Sequence, residues 1–432
     1  KSDEFYLKEV KPTEGMYMWG GPSSPEYLFS MTLDWLFLNS TKVLYLEVHH
    51  SCARVCVGKY LQRFGEHVRG VCLHTAEQII PFEKHCHNLT AFVLYNCTDC
   101  RDCERIFVCN PNLESLYIKR GYWKVPLYSH PPLIMHKLRQ LTWSAACRTG
   151  DVLVSLVKAT PNLLQLSLSQ TVSKDMDGDV IMEVAQSCPH LRTFNCKRLH
   201  IGPSDSYLKQ FLETCKCIVN LDVRKHVELT DTVLIAALEG LVGVKSLNLC
   251  GCTRLTDRTL DFLAQRFAST LQVLHLDYNC LNPLYWRQVG QEGGFTAAGI
   301  ATLRAQCTQL RTFHYTIEAS TVALSPALFV EACLSATVVK IRSEDALPMI
   351  LKHCRQMQIL VLPINQTSIR VRLTVEQILS IAAHCPCLRT IILEEAMFDD
   401  KLDYSAVRKA YPKLRFTRDM TLLDFDVFSI PV

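Results

Sequence analysis

The segment from Val244 to Phe267, VKSLNLCGCTRLTDRTLDFLAQRF, is preceded by a near copy of itself. Moving back 26 positions places Leu221, Val223, Leu229, Thr230, Asp231 and Leu234 on Leu247, Leu249, Leu255, Thr256, Asp257 and Leu260, in the same order. Leu247 and Leu249 alternate with Ser246, Asn248 and Cys250, the pattern of a short strand with one buried face. Leu260, Leu263, Ala264 and Phe267 follow helical spacing, and Thr256 and Asp257 stand where an N-cap belongs. A strand, a turn and a helix in so short a period cannot bury their apolar sides alone, so the copies must stack on one another.

The frame extends far beyond this pair. Strand motifs begin near Val43, Val68, Leu89, Leu113, Leu138, Leu163, Leu191, Ile218, Val244, Leu271, Leu310, Ala336, Met357, Leu388 and Leu414, most of them 24 to 28 residues apart. The cysteines follow the frame. Cys86, Cys188, Cys215, Cys307, Cys333, Cys354 and Cys385 each fall three residues before the first apolar residue of a strand, and Cys109 falls four before. A thiol at one buried repeat position is a small apolar side chain. About half of the 21 Cys therefore read as reduced packing residues, which fits a cytoplasmic or nuclear compartment. Four N-x-Ser/Thr sequons, at Asn39, Asn88, Asn96 and Asn365, point the other way and are read as coincidental.

The run Val244-x-x-Leu247-x-Leu249-x-x-Cys252-x-x-Leu255, followed by Leu-Thr-Asp and an amphipathic helix, resembles the cysteine-containing subtype of leucine-rich repeat found in F-box/leucine-rich-repeat proteins. The resemblance implies an α/β leucine-rich-repeat solenoid, a horseshoe with a parallel sheet on its concave face and helices outside. It further implies a substrate-recognition surface for a cullin ubiquitin ligase, tied to the cullin by a Skp-type adaptor that holds an F-box. Three regions are expected: an N-terminal cap over 1–42 with no recognisable F-box, a solenoid of about 14 or 15 repeats over 43–416, and a C-terminal cap or tail over 417–432. An F-box would then lie upstream of Lys1 or have diverged.

Composition limits the alternatives. With 48% hydrophobic and 20% charged residues the chain reads as folded, and a net charge of +4 with no Lys/Arg run is too mild for a nucleic-acid footprint. The most apolar stretch, Tyr27 to Val48, is broken by Asp34, Asn39, Lys42 and Glu47, so no membrane span is expected. Neither nucleic acid nor membrane is an expected partner.

Patterns that could carry chemistry are few. The Cys97-x-x-Cys100-x-x-Cys103 run, with His85, His87 and Cys109 nearby, has ligand types that suit zinc, but the frame already claims Cys97. Lys174 to Asp179, KDMDGD, gathers carboxylates but misplaces the glycine of a calcium loop and has Gln186 in place of the closing Glu. There is no glycine-rich phosphate loop, no Gly-x-Ser-x-Gly and no His-Glu-x-x-His. The expectation is a chain with no catalytic residues, metal or cofactor.

What remains is the strand face. Because side chains alternate along a strand, the third, fifth and seventh motif positions should share one side. These give Tyr45, Tyr95, Tyr117, Lys119, Lys197, Arg224, His275, Asp277, His314, Lys340 and Arg342 as candidate partner-binding residues. Two units are longer than their neighbours, and the first excess, Asn282 to Gly294, adds Tyr285, Trp286 and Arg287, residue types common at binding hot spots. The second excess, Asn365 to Arg372, is read as an inert excursion. Basic residues outnumber acidic ones on the expected face, which favours an acidic or aromatic-bearing protein segment as ligand. Two other readings stay open: a scaffold, inhibitor or GTPase regulator with no ligase role, and a receptor for a small ligand held under the Asn282–Gly294 loop.

Overall fold

The computed structural model describes residues 44–48, 61–62, 65–73, 79–95, 100–121, 134–145, 150–168, 178–196, 206–277, 294–319, 330, 333–334, 336–341, 347–362, 374–393 and 405–417. They belong to two compact units, one ending at Asn195 and one beginning at Cys196.

In the first unit, β1 (Leu44–Val48), β2 (Val68–Leu73), β3 (Ala91–Tyr95), β4 (Ser115–Gly121), β5 (Gln140–Ala145), β6 (Gln165–Ser167) and β7 (Thr193–Asn195) lie side by side in chain order, every pair parallel. Parallel neighbours need a crossover, and helices α1 (Ile79–His85), α2 (Cys100–Cys109), α3 (Gly150–Lys158) and α4 (Gly178–Ser187) supply it. Successive helices pack on each other as well, α1 on α2 and α3 on α4. Between the two layers β2 to β6 each bury two side chains. Leu116 with Ile118, Leu141 with Trp143 and Leu166 with Leu168 are all at most 1% exposed.

The second unit repeats the plan. Its strands are β8 (Asn220–Asp222), β9 (Ser246–Asn248), β10 (Val273–Asp277), β11 (Thr312–Ala319), β12 (Val338–Ile341), β13 (Ile359–Leu362), β14 (Thr390–Leu393) and β15 (Arg415–Thr417), again parallel and in chain order. Its helices are α5 (Ser206–Thr214), α6 (Asp231–Leu238), α7 (Asp257–Arg266), α8 (Ala297–Gln306), α9 (Leu347–His353), α10 (Val375–His384) and α11 (Ser405–Ala410). Leu247, Leu249, Leu274 and Leu276 are fully buried. Strand, crossover helix and parallel strand, one step per repeat with paired buried leucines, define a leucine-rich-repeat solenoid of the α/β class.

The cysteine frame has a backbone explanation. The amide of Cys188 donates to Val184 O and that of Cys215 to Phe211 O, which closes the preceding helix, while their carbonyls accept from Leu191 N and Ile218 N. Cys307, Cys354 and Cys385 do the same. The residue turning helix into strand is enclosed by both, so it must be small or find its own partners. Cys109 is not that residue. The buried turn position there is Asn110, whose Oδ1 accepts from Leu89 N at 2.8 Å and whose Nδ2 donates to Ile106 O at 3.0 Å, and Cys109 stands half-buried beside it. A polar side chain can replace the thiol because it pairs both of its ends.

A second regularity ties repeat to repeat. The carbonyl one residue before a strand accepts two amides from the next repeat: Val219 O from Lys245 and Ser246, Lys245 O from Gln272 and Val273, Gln272 O from Arg311 and Thr312. The relay then stops at Arg311. It restarts from Thr337 O, which accepts from Gln358 and Ile359, and continues through Gln358 O to Arg389 and Thr390. At the gap β12 is displaced along β11, so that Lys340 pairs with Glu318 and Val338 with Thr316. Thr337 bridges the offset, its N–H donating to Tyr315 O and its hydroxyl oxygen accepting from Tyr315 N at 2.7 Å. No described helix is long and apolar enough to cross a membrane.

Candidate interaction surface

In β3 to β10 one residue stands between two buried ones, and strand pairing sets these residues in rows. In the first unit the row runs Val93, Tyr117, Thr142, Ser167, Asn195. In the second it runs Asp222, Asn248, His275, His314. Both rows sit on a scaffold whose flanking positions barely change, yet the row itself varies in size, polarity and charge.

The second row is polar and covered. Asp222 is 1% exposed, Asn248 3% and His275 1%, while His314 is half-buried. Arg224 closes over Asp222: its Nη2 lies 2.7 Å from Oδ2, and its Nε donates to Oδ2 at 2.8 Å and Oδ1 at 3.1 Å. The Arg224 amide also donates to Oδ1 at 3.0 Å. Arg224 was expected to project from the strand face, but it is 4% exposed. The strand ends at Asp222, so the alternation that would have turned Arg224 outward no longer applies. Lys225 follows with φ 68°, in the left-handed region, and its amide donates to Cys250 O. The chain turns there, and the guanidinium folds back over the carboxylate.

Beside this ion pair, Asn248 accepts from Cys250 N through Oδ1 at 3.2 Å, while its buried Nδ2 has no hydrogen-bond partner. The rings of His275 and His314 stack with centroids 5.1 Å apart and planes 6° from parallel. Burial, the neighbouring His314 and the Arg224 charge push the His275 imidazole down to about 3, and burial pushes His314 down to about 4. Both are neutral at neutral pH.

Beyond the gap in the relay the same face changes character. Val338, Val361 and Ile392 are fully buried and form one apolar cluster, with Ile359 packed against it. Lys340 pairs with Val361 along this row and not with His314. The remaining candidates divide in two. Tyr45, Tyr95, Lys119, Asp277 and Lys340 lie on described strands, with Tyr95 opposite Lys119, but their side chains fall outside the described residues. Lys197, Tyr285, Trp286, Arg287 and Arg342 fall outside them altogether, as does Cys97. Among the described residues no three His, Cys, Asp or Glu side chains come together to hold a metal ion. Asn248, Val361 and Ile392 were passed over because they are uncharged and not aromatic. The signal was present: each occupies the same fifth motif position as His275.

No family model matches the chain, and no curated protein sequence does. Solved structures do. The leucine-rich repeat-containing protein LegL7 from Legionella pneumophila is 17% identical, with 70% of this chain and 92% of that one covered and a TM-score of 0.35. A TLR13–ssRNA13 complex is 15% identical over 81% of this chain and 51% of that one, with a TM-score of 0.37. The yeast Rad7 and Elc1 complex is 13% identical over 90% and 91%, with a TM-score of 0.40. None superposes closely, and the fold rests on the strand order and repeat geometry described above.

Proposed function

We propose that this chain is a protein-interaction module, the substrate-recognition solenoid of an F-box-type subunit of a cullin ubiquitin ligase. The observation that carries the binding role is the register of the first row: a constant scaffold sets the half-buried Val93, Tyr117 and Thr142 side by side on neighbouring strands, which is how a solenoid makes a specific surface. The ligase role rests on the resemblance of the Leu-Thr-Asp repeat to the F-box/leucine-rich-repeat subtype. No catalytic residue, metal or cofactor belongs to this reading.

On this proposal Tyr95, Tyr117 and Lys119 on neighbouring strands, Trp286 in the longer unit, and Lys340 and Arg342 contact the protein partner. The test is affinity capture of the full chain from cell lysate with quantitative mass spectrometry. Specific enrichment of a Skp-type adaptor and a cullin supports the ligase role. Capture of other proteins without them leaves a binding module of the scaffold or regulator kind and removes that role. A variant carrying Tyr95→Ala, Tyr117→Ala and Trp286→Ala should lose the captured substrates while keeping its melting temperature. An unchanged set of captured proteins would overturn the assignment of the surface.

A further inference from the structure

We infer that the helix-to-strand turns of the second unit form a binding edge for an extended acidic polypeptide. This edge is separate from the strand rows, and its test stands apart from theirs. Lys216, Lys245, Arg311, Arg355, Arg389 and Arg415 are all exposed and lie in these turns or on the first residue of the strand that follows. Among the described residues of the turns, Glu239 is the only acid. The carbonyl relay fixes their alignment. Lys245, Gln272 and Arg311 occupy one register and Gln358 and Arg389 another, each residue about 4.8 Å from the next as neighbouring strands are, while Arg415 stands one position on, opposite Thr390.

Folding does not account for this arrangement. None of the six basic residues joins an ion pair among the described residues. Like charges on neighbouring turns, as with Arg389 and Arg415 one position out of register, repel mildly and add nothing to the fold. They make sense as a line of donors awaiting acceptors. Arginine is the majority among them, and its planar fork matches a carboxylate with two parallel hydrogen bonds.

Three features select a polypeptide over other polyanions. The edge carries Val242, 78% exposed, and Leu334, 53% exposed, which are the exposed large apolar side chains of the second unit. A phosphate backbone offers them nothing, and among the described residues the turns carry no exposed aromatic side chain on which bases would stack, Tyr411 being half-buried. The cations form a line, with the exposed carboxylates of Glu213 and Glu239 close beside it in sequence. An anionic membrane would present its charge to those carboxylates too, whereas a single extended chain follows the line. A segment rich in Asp or Glu with interspersed aliphatic residues fits both the charges and the two apolar side chains.

The experiment measures fluorescence anisotropy of labelled probes with the full chain across a NaCl series. The probes are poly-glutamate and a peptide alternating Glu and Leu, with poly(U) RNA and phosphatidylserine vesicles as competitors. Both peptides should bind, more weakly as salt rises, and the Glu-Leu peptide should bind more tightly. Arg311→Glu, Arg389→Glu and Arg415→Glu together should weaken binding about tenfold. The matched reversal of exposed Lys84, Lys137 and Arg192 in the first unit should bind as wild type. Val242→Ser with Leu334→Ser should remove the advantage of the Glu-Leu peptide. No saturable, salt-sensitive binding by wild type would overturn the inference, and that arm needs no variant. So would equal loss in both reversal variants at unchanged melting temperatures, or tighter binding to RNA or vesicles than to either peptide.

Discussion

The carboxylate of Asp231 holds the start of the following repeat through Thr256. Its Oδ1 accepts from Thr256 N at 2.9 Å and its Oδ2 from Thr256 Oγ1 at 2.7 Å, and Thr259 adds a third bond to Oδ1. Asp257 does the same for Thr296 one repeat later, with the amide at 2.8 Å. The Thr256-Asp257 pair thus has two duties: Thr256 caps its own helix by accepting from Arg258 N, and Asp257 anchors the next threonine.

Asp231→Ala should destabilise the second unit by about 1–3 kcal/mol, because it strands a backbone amide and two hydroxyls. Asp231→Asn should recover part of that, since the amide keeps one acceptor oxygen. A double-mutant cycle with Thr256→Ala, followed by urea unfolding, should give a coupling energy of at least about 0.5 kcal/mol. Additive losses would mean that the bonds are geometry without energy. Gly299 offers an independent check. A Cβ there would lie 2.3 Å from the Asp257 carboxylate, so Gly299→Ala should cost stability although alanine is the better helix former.

The buried Asp222–Arg224 pair predicts an asymmetry. Asp222→Ala leaves a guanidinium that is 4% exposed without its counter-ion and should cost about 3–5 kcal/mol. Adding Arg224→Met removes the charge that Asp222 had balanced and should restore part of the loss. A double variant less stable than Asp222→Ala alone would show that Arg224 stabilises the fold by some route other than this carboxylate.

The stacked histidines should make the second unit acid-sensitive in a defined window. Their folded values lie at about 3 and about 4, below the ordinary 6.5, so the unfolded chain binds more protons between those limits. The stability they contribute is whole above about pH 6.5 and is lost as pH falls toward 4 and then 3, each group adding a slope of at most about 1.4 kcal/mol per pH unit. Replacing both by Asn should flatten unfolding free energy against pH in that range relative to wild type. Parallel curves for the two proteins would refute the assignment.

Thiol labelling should follow burial. Burial pushes Cys86 and Cys188 up to about 12, and burial together with the neighbouring Cys387 pushes Cys385 up to about 11. Native protein treated with N-ethylmaleimide and mapped by mass spectrometry should carry the label on exposed Cys217 and Cys387 long before any of these three. The fourteen cysteines whose side chains are described are free thiols, so stoichiometric bridges among them in unreduced protein would contradict the structure.

The period, the parallel strands and the buried leucines were legible in the sequence because they are set by local spacing. Leu247 and Leu249 had to face inward once the repeat was seen. Arg224 was misplaced because alternation holds only while the strand lasts, and nothing in the spacing says that β8 stops at Asp222. Cys109 was favoured over Asn110 on residue type alone, although the frame's own count of three pointed to the asparagine. The pairing of Lys340 with Glu318 lay further out of reach. Register between two strands depends on how their flanking turns pack, and a repeat of ordinary length between Leu310 and Ala336 gives no warning of an offset.

That offset has a mechanical consequence. In a stack where every layer grips only its neighbours, cooperativity is the sum of many local couplings, and it fails first where one coupling is different in kind. Every other junction in the relay from Val219 to Arg389 shares one acceptor between two donors, whereas at Tyr315 and Thr337 a side-chain hydroxyl and a single backbone bond take the place of that shared acceptor ahead of the displaced β11–β12 ladder. Under force or mild heating the second unit should part there, so that hydrogen exchange in β12 to β14 speeds up while β8 to β10 stay protected, and the strands carrying the apolar cluster come away as one block.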